Sequence, residues 1–518
     1  MISRRDFIKG SALAMFTLAT NIFPADVQAA TCQAKTAQGT YRGFIDKRGI
    51  QTWLGIPFAQ PPVGKLRWHA PEPLEPSNKT FDAKKFGYSA IQDRDETEPA
   101  SLLEQSEDCL TLNIWTRGGK NLPVMVFIHG GGFINGGTGD PLYNGSNLAA
   151  HDVVVVTINY RLNLFGFMNF AAIDSAFEDT GYLGIKDQVA ALTWVKENIS
   201  SFGGDPDNVT IFGESAGAIS ATLLMVTPAA KGLFNKVIAQ SGHMAYYHVP
   251  EHSAERTAKF MELGGYKNMQ ELMTKTTAEL FATYEKFCDE LGFEIDVGFF
   301  PTCDGKYLPA HPLRDLKDGV ARGIKLLTGN TAEEYRYWAL YYEGFMELMA
   351  DAHPKLTPVI YEGEFLSEPE LYQSWQKNHS ELEELERYLE FANQLDWRVG
   401  QELMAEYQSA FEDVYFYLFN QKSPYEHLGS CHAIDLPFVF GNPSEGVELN
   451  PSPALIAQVQ AAWVSFATSG KPSSDWKKYS TDDRETMEIN SKAWTCRPDL
   501  NSDNLKELRH VYENHLLD

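Results

Sequence analysis

The stretch Val209-Thr-Ile-Phe-Gly213-Glu214-Ser215-Ala216-Gly217-Ala218 decides how the chain is read. An apolar, β-branched run leads into Gly-x-Ser-x-Gly, and small and apolar residues follow (Ile219, Ala221, Leu223, Leu224). The pattern predicts a strand, a very tight turn and a helix, with Ser215 strained at the turn. Gly213 and Gly217 suit such a turn because a Cβ at either place would meet the neighbouring strand or helix. The helix start aims unbonded backbone N–H groups at whatever lies beside the serine. Alone, the pentapeptide equally describes a glycine-rich turn with an incidental serine.

Neighbouring stretches extend the pattern. Pro123-Val-Met-Val-Phe-Ile128 and Val153-Val-Val-Val-Thr-Ile158 are continuous apolar runs, as expected of strands buried on both faces of a parallel sheet. Leu183 to Glu197 has helical spacing. Ser106–Trp115, Val237–Gly242, Ile324–Gly329 and Val414–Phe419 read as further strands. Gly39–Phe44 and Gln51–Gly55 read as an N-terminal antiparallel hairpin, and the proline-laden Gly55–Trp68 as irregular chain on the surface. Helical insertions are expected over 251–291 and 338–408, rich in aromatic residues such as Tyr335, Tyr337, Trp338, Tyr341, Tyr342 and Phe345. These rings suit either cap packing or the lining of a substrate gorge. Strands alternating with helices predict an α/β architecture, a large mostly parallel central sheet with helices on both faces. No repeat or polar linker divides 30–518, which reads as one domain.

Composition narrows the function. Lys+Arg 44 against Asp+Glu 69 gives a net charge of −25, which disfavours nucleic acid as a partner, since phosphates need a basic face. The start reads Met1-Ile-Ser-Arg4-Arg5-Asp-Phe-Ile-Lys9, then a weakly apolar run, then Val27-Gln-Ala-Ala30. This is the pattern of a secretory signal, and the paired arginines resemble a bacterial twin-arginine signal. Residues 1–29 are therefore expected to leave by the twin-arginine export machinery, making the product periplasmic or secreted. The apolar run is too short and too interrupted for a stable membrane anchor. The six cysteines (Cys32, Cys109, Cys288, Cys303, Cys431, Cys496) are scattered without a C-x-x-C pair. The histidines show no ligand spacing, and neither metal nor cofactor is expected.

In open α/β sheets, ligands bind beyond the carboxyl ends of the strands. Four stretches fall there: Gly130–Gly132, Ser215, Glu333-Glu334, and the loop holding His432. A serine hydroxyl needs a base, an imidazole titrates in the right range, and the imidazolium needs an anion to orient and stabilise it. Backbone N–H groups of Gly131, Gly132 and Ala216 could receive the negative charge that develops on an attacked carbonyl. The order Ser, acid, His is that of α/β-hydrolases.

With these residues in place, the chain resembles a type-B carboxylesterase of the carboxylesterase/cholinesterase family, of α/β-hydrolase fold. The matching stretches include Gly55-Ile-Pro-Phe-Ala, Ser106-Glu-Asp-Cys-Leu-Thr-Leu-Asn113, His129-Gly-Gly-Gly-Phe133, Asn159-Tyr-Arg161, Gly213-Glu-Ser-Ala-Gly217, Gln240-Ser-Gly242 and His432-Ala-Ile-Asp-Leu-Pro-Phe-Val-Phe-Gly441. The resemblance implies a serine hydrolase of small to medium acyl esters, with Ser215 as nucleophile, His432 as base and a glutamate as its partner. The alternatives are an amidase or carbamate hydrolase on the same triad, or a binding member of the family without activity. Two departures stand out. The family's acid is followed by glycine, whereas Gly329-Asn-Thr-Ala-Glu333-Glu334-Tyr335 puts a tyrosine there; spacing favours Glu334 over Glu333. The family also pairs the cysteine of Glu-Asp-Cys with one upstream, and Phe86–Gln92 has none to offer Cys109.

Other polar residues receive supporting roles. Glu214 is expected to orient second-layer groups or a water, and Ser241 to hold a hydroxyl near the histidine. His129 is expected to brace the glycine loop, Arg161 and Asp187 to form a buried pair, and Asp435 to serve local structure.

Overall fold

The computed structural model describes residues 30–94, 99–291, 299–340, 358–361, 364–367, 369–444, 446–498, 506, 508 and 509. The expected leader, 1–29, lies outside the described residues, as do Tyr341, Tyr342 and Phe345. In chain order the strands are β1 (Thr31–Thr36), β2 (Gly39–Ile45), β3 (Gln51–Pro57), β4 (Thr80–Asp82), β5 (Thr111–Thr116), β6 (Leu122–Ile128) and β7 (Val154–Ile158). They continue with β8 (Gly204–Glu214), β9 (Lys236–Gln240), β10 (Lys325–Thr331), β11 (Pro358–Tyr361), β12 (Glu364–Ser367), β13 (Val414–Phe419), β14 (Thr486–Ile489) and β15 (Thr495–Arg497).

Among the described residues, thirteen of these form one sheet in the order β1-β2-β3-β5-β7-β6-β8-β9-β10-β13-β14-β15, with β4 beside β2. From β7 through β14 every pairing is parallel, and the antiparallel pairings are confined to the two ends. The chain is of the α/β-hydrolase fold, the architecture that the alternation of apolar runs and helical spacings leads one to expect.

Period-two alternation explains why the middle strands are apolar throughout. Val124, Val126 and Ile128 of β6 join Val156 and Ile211 in the core on one face of the sheet. Met125 and Phe127 join Val155, Phe212 and Ile238 on the other. Helices Leu183–Asn198 and Ala216–Val226 add Leu192, Leu223 and Leu224 to the first core, and helix Pro453–Ser469 adds Val459, Trp463 and Phe466 to the second. A strand covered on both faces has no solvated side, so polar alternation is lost.

Register then fixes the site. Ile128 pairs with Gly213, Gly213 with Ala239, and Gln240 with Gly329, so the carboxyl ends of β6, β8, β9 and β10 stop level with one another. The peptides that follow carry the candidate residues.

Three expectations change. The segment 338–408 is not wholly helical: β11 and β12 form a separate antiparallel hairpin, and Asn393–Val399 is a π-helix between α-helices Glu384–Ala392 and Gly400–Ser409. The Ser106–Trp115 strand begins only at Thr111, after a loop. The proline-laden segment starts within β3 and turns through a 3₁₀ helix, Gly64–Leu66, and it buries Phe58, Ala59 and Trp68 instead of only wrapping the surface. The Trp68 indole is tied down by donating to the Leu164 carbonyl at 3.0 Å. The N-terminal hairpin does form, with Phe44 opposite Thr52.

Candidate active site

Ser215 follows β8 directly and caps the helix Ala216–Val226 with φ 56° and ψ −127°. A side chain seldom adopts this conformation, which costs on the order of 1–3 kcal/mol and persists only where the surroundings enforce it. Two glycines allow the enforcement. A Cβ on Gly217 would lie 2.0 Å from the Ile128 carbonyl oxygen, and one on Gly213 would lie 2.4 Å from the Gly217 carbonyl carbon. The turn is held by Ser215 N–H donating to the Gln240 carbonyl and Ile219 N–H donating to that of Ser215, each at 2.9 Å.

The glycine loop after β6 lies against this turn: a Cβ on Gly130 would meet Ser215 Cβ at 3.1 Å. Gly131 and Gly132 take φ +101° and +59°, backbone that favours glycine. Among the described residues, neither their N–H groups nor that of Ala216 donates to a protein acceptor. His129 braces the loop. Its Nδ1 donates to the Gly130 carbonyl at 2.8 Å, its ring stacks on Tyr160, and the Tyr160 hydroxyl donates to the His129 carbonyl. Burial pushes this imidazole down to about 4, so it stays neutral.

His432, in the loop after β13, sets its Nδ1 2.5 Å from Glu334 Oε2. Glu334 is fully buried, and its Oε1 accepts from Thr331 N–H and from the Ser241 hydroxyl, each at 2.7 Å. Ser241 reaches it from a left-handed conformation (φ 50°) at the end of β9. Glu333 points elsewhere: it accepts from Ser430 N–H at 2.7 Å and pairs with Arg336 at 3.0 Å, securing the loop that carries His432. Tyr335, where the family has glycine, is absent from the left-handed positions and needs no special backbone freedom.

The other imidazole nitrogen is the less expected part of the arrangement. His432 Nε2 lies 3.0 Å from Glu214 Oε1, although the angles are too poor for a hydrogen bond, and it makes none to Ser215. Burial, the largest influence, disfavours the imidazolium, yet Glu214 and Glu334 together outweigh it and hold His432 above its ordinary pKa. Burial likewise raises Glu214, against the pull of His432. The buried pair is therefore set to retain one proton between them.

Aromatic rings surround the imidazole: Trp397 at 4.6 Å between centroids, Trp338 at 5.4 Å and Tyr337 at 5.7 Å. Tyr337 and Trp338 were legible as gorge candidates, whereas Trp397 was not singled out. Beneath the site, Asp435 accepts from Gln240 and from the Tyr417 hydroxyl, and burial raises it to about 7. Arg161 and Asp187 form the expected buried pair, at 2.7 Å. Cys109 is a buried thiol in no disulfide. Among the described residues, no cluster of three or more His, Cys, Asp and Glu could hold a metal ion, and no helix is long and apolar enough to cross a membrane.

Comparison with known proteins places this chain in a family. The model of the carboxylesterase family matches residues 30–507. The para-nitrobenzyl esterase of Bacillus subtilis (strain 168) is 38% identical over 482 residues, 88% of this chain and 94% of its own. A medium-chain fatty acyl-CoA hydrolase precursor of Anas platyrhynchos is 32% identical, covering 87% of each chain. The solved structure of a thermophilic PNB esterase superposes with a TM-score of 0.80 at 35% identity, covering 92% of this chain and 99% of the other. The chain thus belongs to the carboxylesterase family and is a carboxylic ester hydrolase.

Proposed function

We propose that the chain cleaves carboxylic esters of small to medium acyl size through an acyl-enzyme on Ser215, with His432 as base and Glu334 as its orienting acid. The observation that carries this reading is the 2.5 Å contact from Glu334 to His432 Nδ1, which leaves Nε2 as the nitrogen that can act as the base. His432 first exchanges Glu214 for the Ser215 hydroxyl. Such hydrogen bonds are often poorly aligned before substrate binds. Ser215 Oγ then attacks the ester carbonyl while Nε2 takes its proton. Unbonded N–H groups of Gly131, Gly132 and Ala216 receive the oxyanion. The imidazolium, stabilised by Glu334, hands the proton to the departing alcohol, and water repeats the sequence to free the acid.

The test is hydrolysis of p-nitrophenyl butyrate by Ser215→Ala, which should lower kcat by roughly 10⁶. Undiminished turnover in a folded variant ends the proposal.

A further inference from the structure

An aromatic wall runs from the glycine loop to the imidazole. Phe133, next after Gly132, meets Phe300 at 6.0 Å between ring centroids, and Phe300 meets Tyr246 at 5.5 Å. Tyr246 meets Trp397 at 5.8 Å, and Trp397 meets His432. The wall begins at the proposed oxyanion loop and ends on the proposed base.

Set into it is a carboxyl group. Asp396 is 1% exposed; its Oδ2 accepts from the Tyr335 hydroxyl, and its backbone carbonyl accepts from the Tyr246 hydroxyl and from His243 Nε2. Among the described residues its buried Oδ1 has no hydrogen-bond partner, and neither has the indole N–H of the next residue, Trp397. Burial, only partly offset by Tyr335, pushes Asp396 up to about 8. Two buried polar groups on consecutive residues left unpaired are unfavourable for the fold itself, and each calls for a partner. Both belong to the π-helical turn Asn393–Val399, a geometry that recurs at functional sites.

We propose that Asp396 Oδ1 and Trp397 Nε1 read a hydroxyl group on the ester, so that hydroxylated esters are preferred to plain alkyl ones. A hydroxyl both donates and accepts, and so can serve either the carboxyl group or the indole. An ammonium group could pair only the carboxyl, and a methyl neither. This inference rests on the Ser215–His432 reading above.

Two matched pairs test it: p-nitrophenyl butyrate against p-nitrophenyl 3-hydroxybutyrate for the acyl side, and ethyl against 2-hydroxyethyl butyrate for the alcohol side. In the unmodified enzyme, kcat/KM should favour the hydroxylated member of one pair by about tenfold or more. Asp396→Leu should erase that preference by raising the plain ester relative to the hydroxylated one. If Asp396→Leu fails to fold, Trp397→Phe keeps a ring against His432 while deleting the N–H, and should shrink the same ratio severalfold. Equal kcat/KM within both pairs, or a preference that survives in the folded variants, overturns the inference. Ser215→Ala measured on the same four esters separates the two readings. If it abolishes turnover while the unmodified enzyme shows equal kcat/KM within both pairs, only the hydroxyl site fails; if turnover persists in Ser215→Ala, the triad fails.

Discussion

Glu214 Oε1 lies 3.0 Å from His432 Nε2, so the carboxylate beside the nucleophile occupies the side of the imidazole that must take the serine proton. With Glu334 on Nδ1, the ring stands between two buried carboxylates. The proton retained there must leave before His432 can act as a base, so kcat/KM should rise with pH.

Removing one of the two charges weakens the hold on that proton. Glu214→Gln should therefore lower the His432 pKa and move the acidic limb of kcat/KM to lower pH, by about one to three units. A pH-rate profile of p-nitrophenyl butyrate hydrolysis reads this directly. A limb that stays in place, or moves up, contradicts the assignment.

The two adjacent glutamates should behave differently. Glu334→Gln keeps the shape but loses the anion facing Nδ1, and should cost roughly 10⁴ in kcat. Glu333→Gln loosens its ion pair with Arg336 and its hold on Ser430, so it should mainly lower stability, by about 1–2 kcal/mol, with kcat within about tenfold. Comparable losses of kcat in both variants would refute the division of labour.

Arg161 donates from Nη2 and Nε to Asp187, whose side chain is wholly buried. Arg161→Met strands that carboxylate and should cost about 3–5 kcal/mol in urea unfolding. A loss under about 1 kcal/mol would mean that Asp187 is held by other groups.

We also propose that residues 1–29 direct export by the twin-arginine route. Replacing Arg4 and Arg5 by lysine should leave uncleaved chain inside a bacterial host, as fractionation would show. Unchanged processing would point to another route.

The central strands were legible because burial on both faces leaves unbroken apolar runs such as Val124–Ile128. The glycines of the elbow were legible because only absent side chains fit where Gly217 meets Ile128. Choosing between Glu333 and Glu334 was a matter of spacing, and the structure shows what spacing cannot: which carboxylate turns inward. Asp396 and Trp397 were hidden because a buried aspartate in a polar-looking helix reads as a solvated face until tertiary contacts enclose it. The hairpin β11–β12 escaped notice because it lies in a stretch, 338–408, whose expected structure is helical.

The most direct test of the account is stoichiometric labelling with an organophosphate, followed by peptide mapping. The account predicts one phosphoryl group per chain, on the peptide bearing Ser215, with esterase activity lost in proportion to labelling. Activity that persists when Ser215 is fully labelled, or that disappears with the label on another residue, would contradict it.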